Sequence, residues 1–191
     1  GSEMCIRDRP NTSREEIMRV SRKIVSEKGL PALNMRALAK ECGIALGTLY
    51  NYYSDKDELV VAAIESVWQD ILEKSAPDSG VRFSQYVMHI YARILSGLKD
   101  YPDFFAAHSI SVAGSAKGKA RGTMERCFGK IRGELHAALR EDKNVDRSIF
   151  SETFREEDLI EHILDTITIS IINGKPDCAT LTEILDRLLY R

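Results

Sequence analysis

From Ser13 onward, apolar residues recur at three- and four-residue spacing, in segments that begin at a capping residue and stop at Gly or Pro. That period keeps one face of an α-helix apolar, whereas a half-buried strand needs sustained two-residue alternation. Ser13 stands three residues before Glu16, a capping-box spacing that predicts a helix carrying Ile17, Val20, Ile24 and Val25 and stopping at Gly29. Asn34 predicts the cap of a short second helix, Met35 to Cys42, with Leu38 and Ala39 facing inward. Gly43 breaks the chain there, and a third helix is expected to run to about Tyr53. Ser54 and Asp57 then suggest the start of a fourth, residues 55–75, with Leu59, Val60, Ala63, Ile64, Val67, Trp68 and Ile71 on its apolar side.

The same reading continues through the larger remainder. Phe83, Tyr86, Val87, Ile90, Ile94 and Leu98 predict an amphipathic helix that ends at Asp100-Tyr101-Pro102, and Phe104 to Ala113 a shorter one. Gly114, Gly118 and Gly122 punctuate what reads as a basic connection, before a helix over 123–141. Residues 142–156 are charged and lack a sustained apolar stripe, so they read as a loop or short turn. In Leu159–Asn173 the alternation of Ile167, Ile169 and Ile171 also fits a strand, but length and the lack of a partner strand favour helix. Thr180 and Glu183 suggest the cap of a last helix carrying Leu181, Ile184, Leu185, Leu188 and Leu189. The expected fold class is all-α, with about nine helices.

Composition narrows the function. The longest apolar runs, such as Phe104–Ala107, fall far short of the ~20 residues that span a bilayer, and no charged-then-apolar leader opens the chain. A cytoplasmic protein without membrane contact is the expectation. The opening Gly-Ser reads as the scar of a cleaved tag, with residues 1–12 a tail; Arg7 and Arg9 as a minor-groove arm is the alternative. Cys5, Cys42, Cys127 and Cys178 are scattered without a C-x-x-C pair, and the four histidines form no H-E-x-x-H pattern. Free thiols, no metal and no cofactor are therefore expected. The net charge of −2 conceals a division: residues 5–53 hold nine Lys/Arg against five Asp/Glu, while the rest of the chain is acidic. A basic head on an acidic body suits phosphate contact at one end.

Two short helices joined at Gly43 satisfy the helix-turn-helix pattern, with Ile44, Leu38 and Leu49 expected to set the crossing angle. The stretch EKGLPALNMRALAKECGIALGTLYNYYSDKDELV, Glu27 to Val60, resembles the DNA-binding head of TetR-family regulators almost position by position. The matching pieces are E-K-G, M-R-x-L-A-K, the G-I turn, G-T-L-Y-x-Y-Y and K-D-E-L. The resemblance implies a three-helix DNA-binding domain over 13–57 and a helical ligand-binding and dimerisation domain over 58–191, linked by helix four. It further implies a homodimeric repressor that binds double-stranded palindromic operator DNA and is released by a small-molecule inducer, largely apolar.

Carried over by position, the resemblance puts Ala45, Leu46, Gly47 and Thr48 at the start of the recognition helix, the last three toward base edges. Arg36 reaches a guanine or a phosphate, being long and always charged. Tyr50, Asn51 and Tyr52 would bond phosphates or sugars, and Lys56 would join the amino end of helix four in holding phosphate. Ala45 departs from the Ser or Thr common there, so a side-chain cap is missing. Leu46 stands where polar residues are common and offers a thymine methyl contact only. In the larger half, Tyr86, Ile90, Tyr91, Phe104, Phe105, His108, Met124 and Phe128 are candidates to line a ligand pocket, with His108 as hydrogen-bond partner; ordinary core is the alternative. Leu159, Ile163, Ile167, Ile171, Leu181, Leu185, Leu188 and Leu189 are the candidate dimer interface, a four-helix arrangement. No nucleophile elbow, phosphate loop or spaced carboxylate pair supports the rival reading as an enzyme. A second rival is a DNA protein controlled by a partner instead of a ligand.

Overall fold

The computed structural model of the chain describes residues 13–73, 80–102, 104 and 117–190. Among these, eight α-helices form and no strand: α1 Arg14–Lys28, α2 Met35–Glu41, α3 Leu46–Tyr50, α4 Lys56–Glu73, α5 Phe83–Lys99, α6 Lys117–Glu141, α7 Glu156–Ile172 and α8 Ala179–Leu189. Three-residue 3₁₀ turns at Leu30–Ala32 and Arg147–Ile149 complete the described elements.

Local chemistry explains the helix ends. Ser13 Oγ accepts the Glu16 N–H at 3.1 Å, and Asn34 Oδ1 accepts the Ala37 N–H at 2.9 Å. Gly29 stops α1 at φ 77°, where its N–H still reaches the Val25 carbonyl. The first box closes by half, because the Glu16 carboxylate turns outward to Arg19 instead of back to Ser13. At α4 the expected Ser54–Asp57 pairing is displaced by one residue. Asp55 Oδ1 accepts the Glu58 N–H at 2.7 Å, and Glu58 Oε2 reaches back to the Ser54 N–H at 2.7 Å. At α8 neither Thr180 nor Glu183 caps: Asp177 Oδ1 takes the Ala179 N–H, while Glu183 pairs with Arg187 one turn on.

Three boundaries differ from expectation, the first at α3, which stops at Tyr50 instead of about Tyr53. The helix over 123–141 begins instead at Lys117, running straight through Gly118 and Gly122. A glycine costs a helix only about 1 kcal/mol relative to Ala, and packing of α6 on α4, α5 and α7 outweighs that. The last residue of 142–156, Glu156, already belongs to α7, where the Asp158 carboxylate accepts the Arg155 backbone N–H at 2.9 Å. Helical geometry also settles the Ile alternation: Ile167 is buried while Ile169 is 57% exposed. The expected helix at 104–113 lies outside the described residues except for Phe104.

Buried side chains form one continuous core. Ile17, Val20, Ile24, Leu38, Leu49 and Tyr53 fill the three-helix head, and Leu59 carries the core into α4. Trp68 of α4 meets Phe104 edge-on at 6.0 Å and Phe128 of α6 at 6.3 Å. α8 packs mainly on α5, and α7 mainly on α6.

Candidate nucleic-acid interface

The turn between α2 and α3 is built by Gly43, whose φ of 67° is open to glycine at little cost. Behind it the Ile44 N–H returns to the Ala39 carbonyl at 3.0 Å, and ahead Ala45 begins α3 without a side-chain cap, as its missing hydroxyl predicts. Leu38 and Leu49, both fully buried, hold the two helices together. The opposite side of the unit is open: Arg36, Ala45, Gly47, Thr48, Asn51 and Lys56 are exposed, and Tyr50 is 48% exposed. Leu46 and Tyr52 are half-buried against the core, so each offers only part of its surface. A Cβ on Gly47 would meet nothing within 4 Å, so nothing inside the chain calls for glycine there.

Two features were not anticipated. Arg14 donates to the Tyr52 carbonyl at 2.9 Å, and its guanidinium lies 5.2 Å from the Tyr53 ring centroid. It thereby ties the start of α1 to the end of the recognition segment; no local sequence signal joins residues so far apart. At the amino end of α4, Asp55 and Glu58 place carboxylates at the dipole's positive end. One free N–H is therefore already bonded, and the two carboxylates offset the positive end of the dipole.

Among the candidate pocket residues whose side chains are described, Ile90, Tyr91 and Phe104 are core. Ile90 and Phe104 are fully buried, and the Tyr91 hydroxyl donates to the Lys175 carbonyl at 2.7 Å. Tyr86 is half-buried at the rim of an open groove with Glu134, Glu141 and Asp142, a polar lining unsuited to an apolar ligand. Phe128 is half-buried beside Trp68. Phe105 and His108 lie outside the described residues, as does the side chain of Met124.

The candidate interface residues divide by burial. Leu159, Ile163, Ile167, Leu181, Leu185 and Leu189 are buried within their own chain, because α5 and α6 already cover the faces that carry them. Ile171 is half-buried and Leu188 is 38% exposed. The uncovered apolar side chains of α7 and α8 are instead Ile169, Ile172, Ile184 and Leu188. Ile184 and Leu188 edge an open groove of about 430 Å³ between the two helices, floored by Ile163, Leu181 and Leu185. No described helix is long and apolar enough to cross a membrane, and no described cluster of His, Cys, Asp or Glu is arranged to hold a metal. Cys42 and Cys178 are free thiols.

Comparison with known proteins agrees with this geometry. Residues 17–63 match the family described as bacterial regulatory proteins, tetR family. An HTH-type transcriptional regulator of Haemophilus influenzae, itself uncharacterised, is 32% identical over 99 residues, 46% of this chain and 53% of that protein. The regulator UidR of Escherichia coli is 32% identical over 77 residues, 40% of this chain and 39% of UidR. The matches thus span about half or less of these relatives' length. Among solved structures, a TetR-family regulator from Marinobacter aquaeolei superposes with a TM-score of 0.55 at 14% identity, covering 86% of this chain and 82% of that one. PfmR of Thermus thermophilus does so with a TM-score of 0.53 at 18% identity, covering 93% and 95%.

Proposed function

We propose that this chain, whose residues 17–63 match the tetR family of bacterial regulatory proteins, is a cytoplasmic, dimeric transcriptional repressor that binds a palindromic operator and leaves it when a small molecule binds the body. The observation that carries the reading is the open face of the head. A two-helix unit held together by Leu38 and Leu49 leaves Arg36, Thr48, Tyr50 and Asn51 exposed, and Lys56 is exposed at the start of α4. Arg36, Tyr50, Asn51, Tyr52 and Lys56 hold the DNA backbone, while Gly47, Thr48 and the free part of Leu46 meet base edges.

Selection from a random 30-base-pair pool tests this directly. The enriched duplexes are expected to share an inverted repeat with half-sites one helical turn apart, about 34–36 Å. Lys56→Ala is expected to weaken selected and scrambled duplexes alike and to flatten the salt dependence by about one counterion. Thr48→Ala instead erodes discrimination, by roughly 1–3 kcal/mol per mismatched pair. Equal loss on both DNAs would move Thr48 to the positioning group, and no enrichment at all would remove the operator reading.

Dimerisation rests on the uncovered apolar face. Apart from Tyr50 and Met88, the exposed large apolar side chains among the described residues are Ile169, Ile172, Ile184 and Leu188, all on α7 and α8. A two-fold axis lets the same face of a second copy fill the groove between them. Light scattering is expected to report twice the 21.5 kDa chain mass. Ile184→Glu with Leu188→Glu is expected to halve that mass without loss of helicity. A wild-type mass of one chain at micromolar concentration would remove the dimer.

Release follows from the path of α4, which begins beside the recognition helix at Lys56 and ends in the body among Trp68, Ile71 and Leu72. A ligand that prefers a different spacing of the two heads by ~3 kcal/mol lowers operator affinity more than a hundredfold. The aromatic cluster of Trp68, Phe104 and Phe128 is where an apolar ligand would meet α4.

A further inference from the structure

α1 lies along α4, and two points of contact are polar and far from the pivot. Arg22 of α1 donates through Nη1 to Ser66 Oγ at 2.5 Å, and its Nε stands 4.0 Å from Asp70 Oδ1. The other oxygen of the same carboxylate, Asp70 Oδ2, accepts the Tyr101 hydroxyl at 2.7 Å. Tyr101 follows α5 in the body, is 5% exposed, and sets its ring 6.2 Å from Phe104. Phe104 in turn packs edge-on against Trp68. One carboxylate on α4 therefore faces the head through one oxygen and the body through the other.

Lever length makes this arrangement informative. Ser66 and Asp70 stand ten and fourteen residues after the first residue of α4, roughly 15–21 Å along the helix axis. Contacts near Lys56 leave the angle between α1 and α4 soft, whereas contacts this far along resist any change in that angle. Burial, and next the hydrogen bond to Asp70, push the Tyr101 phenol well above its ordinary value, so it stays protonated and a donor. Asp70 and Arg22 are each 28% exposed, a depth at which water competes without flooding the pair.

We propose that Arg22, Asp70 and Tyr101 are positioning residues, a strut that holds the head at a set angle to the body and slackens when Tyr101 is drawn away from Asp70. Nothing in this assigns them contact with DNA or ligand. The chemistry that would work the strut is an apolar molecule displacing Phe104, because Tyr101 packs on that ring. The consequence for DNA rests on the repressor reading above; the mechanical link does not.

The test uses the full chain and changes confined to side chains of the strut. Tyr101→Phe keeps the ring and removes only the oxygen. Hydrogen exchange is expected to rise several-fold in residues 14–28, although the Tyr101 hydroxyl donates to a carboxylate on α4. Affinity for a duplex selected by the wild-type protein from the random pool is expected to fall about tenfold. Arg22→Gln, which also removes the bond to Ser66, should do at least as much, and the double variant should lose less than the two single losses combined, because both break the path through Asp70. Arg22→Lys, which keeps a cation within reach of Asp70, should recover part of the loss. Exchange that rises only around residues 98–104 and in α4, or effects that add, would overturn the strut. If the wild-type protein selects no duplex, the repressor reading fails, and exchange in α1 alone decides the strut.

Discussion

Asp142→Ala is expected to cost about 3 kcal/mol, because it removes one carboxylate on which three chain segments converge. Asp142 directly follows α6 and is 7% exposed. Its Oδ2 accepts the buried Phe83 N–H at 2.9 Å and the Tyr190 hydroxyl at 2.6 Å, while Oδ1 accepts the Asn144 N–H at 3.0 Å. It thus caps α5 from another helix and ties down the segment after α8, where Arg82 also lies 4.8 Å from the Tyr190 ring centroid. Truncation leaves an N–H and a hydroxyl without their acceptor, and the melting temperature should drop by about 6–12 °C. A drop under about 2 °C would show that water replaces the carboxylate freely.

The pH dependence has a definite sign. Burial pushes the Asp142 carboxyl up, but the hydrogen bonds from Tyr190, Phe83 and Asn144 together hold it below the ordinary carboxylate value. A depressed folded value contributes stability that is present above the unfolded value, about 3.9, and is lost as pH falls through the folded one. The gap in melting temperature between wild type and Asp142→Asn should therefore be constant near neutrality and shrink below about pH 4. A gap that widens in acid would reverse the assignment.

Gly97→Ala is the second large effect, expected to cost about 1–3 kcal/mol by overpacking. A Cβ at Gly97 would stand 2.6 Å from Ile71 Cγ2 and 3.0 Å from Ile71 Cβ. Those atoms sit at a branch beside the α4 backbone, so rotation of Ile71 does not clear them and the two helices must part. Because α4 also carries the head, the same variant should alter DNA affinity beyond its effect on stability. Ile71→Ala removes two of the three close atoms, so the double variant should lose less than the two single losses combined, measured by chemical denaturation. Strict additivity would mean that the helices adjust without strain.

How much of this was readable before the fold is clearest at particular residues. Ser13, Asn34, Gly29 and Gly43 act within four residues of where they stand, and their roles as caps and turn were legible. The start of α4 was not, because Ser54, Asp55, Asp57 and Glu58 offer several overlapping frames, and only the backbone geometry selects Asp55 with Glu58. Gly118 and Gly122 misled as breakers because propensity is weak beside the packing of a 25-residue helix on its neighbours. The open face of the head was legible in outline, yet the half-burial of Leu46 and the tie from Arg14 to Tyr52 were not.

The amino-acid sequence by itself determined an all-helical chain, the helix-turn-helix with its exposed face, and which side of each helix is apolar. Those features follow from contacts within a turn or two of helix, where spacing along the chain is spacing in space. Which apolar faces are already covered was decided only by the tertiary structure. Leu185 and Leu189 look like Ile184 and Leu188 in periodicity, but α5 buries the first pair and leaves the second open. The same holds for Asp142, bonded to residues 59 and 48 positions away, and for the link from Tyr101 to Asp70 across 31. Amphipathicity states that a face must be buried and is silent on the partner, because the partner is chosen by how whole helices pack.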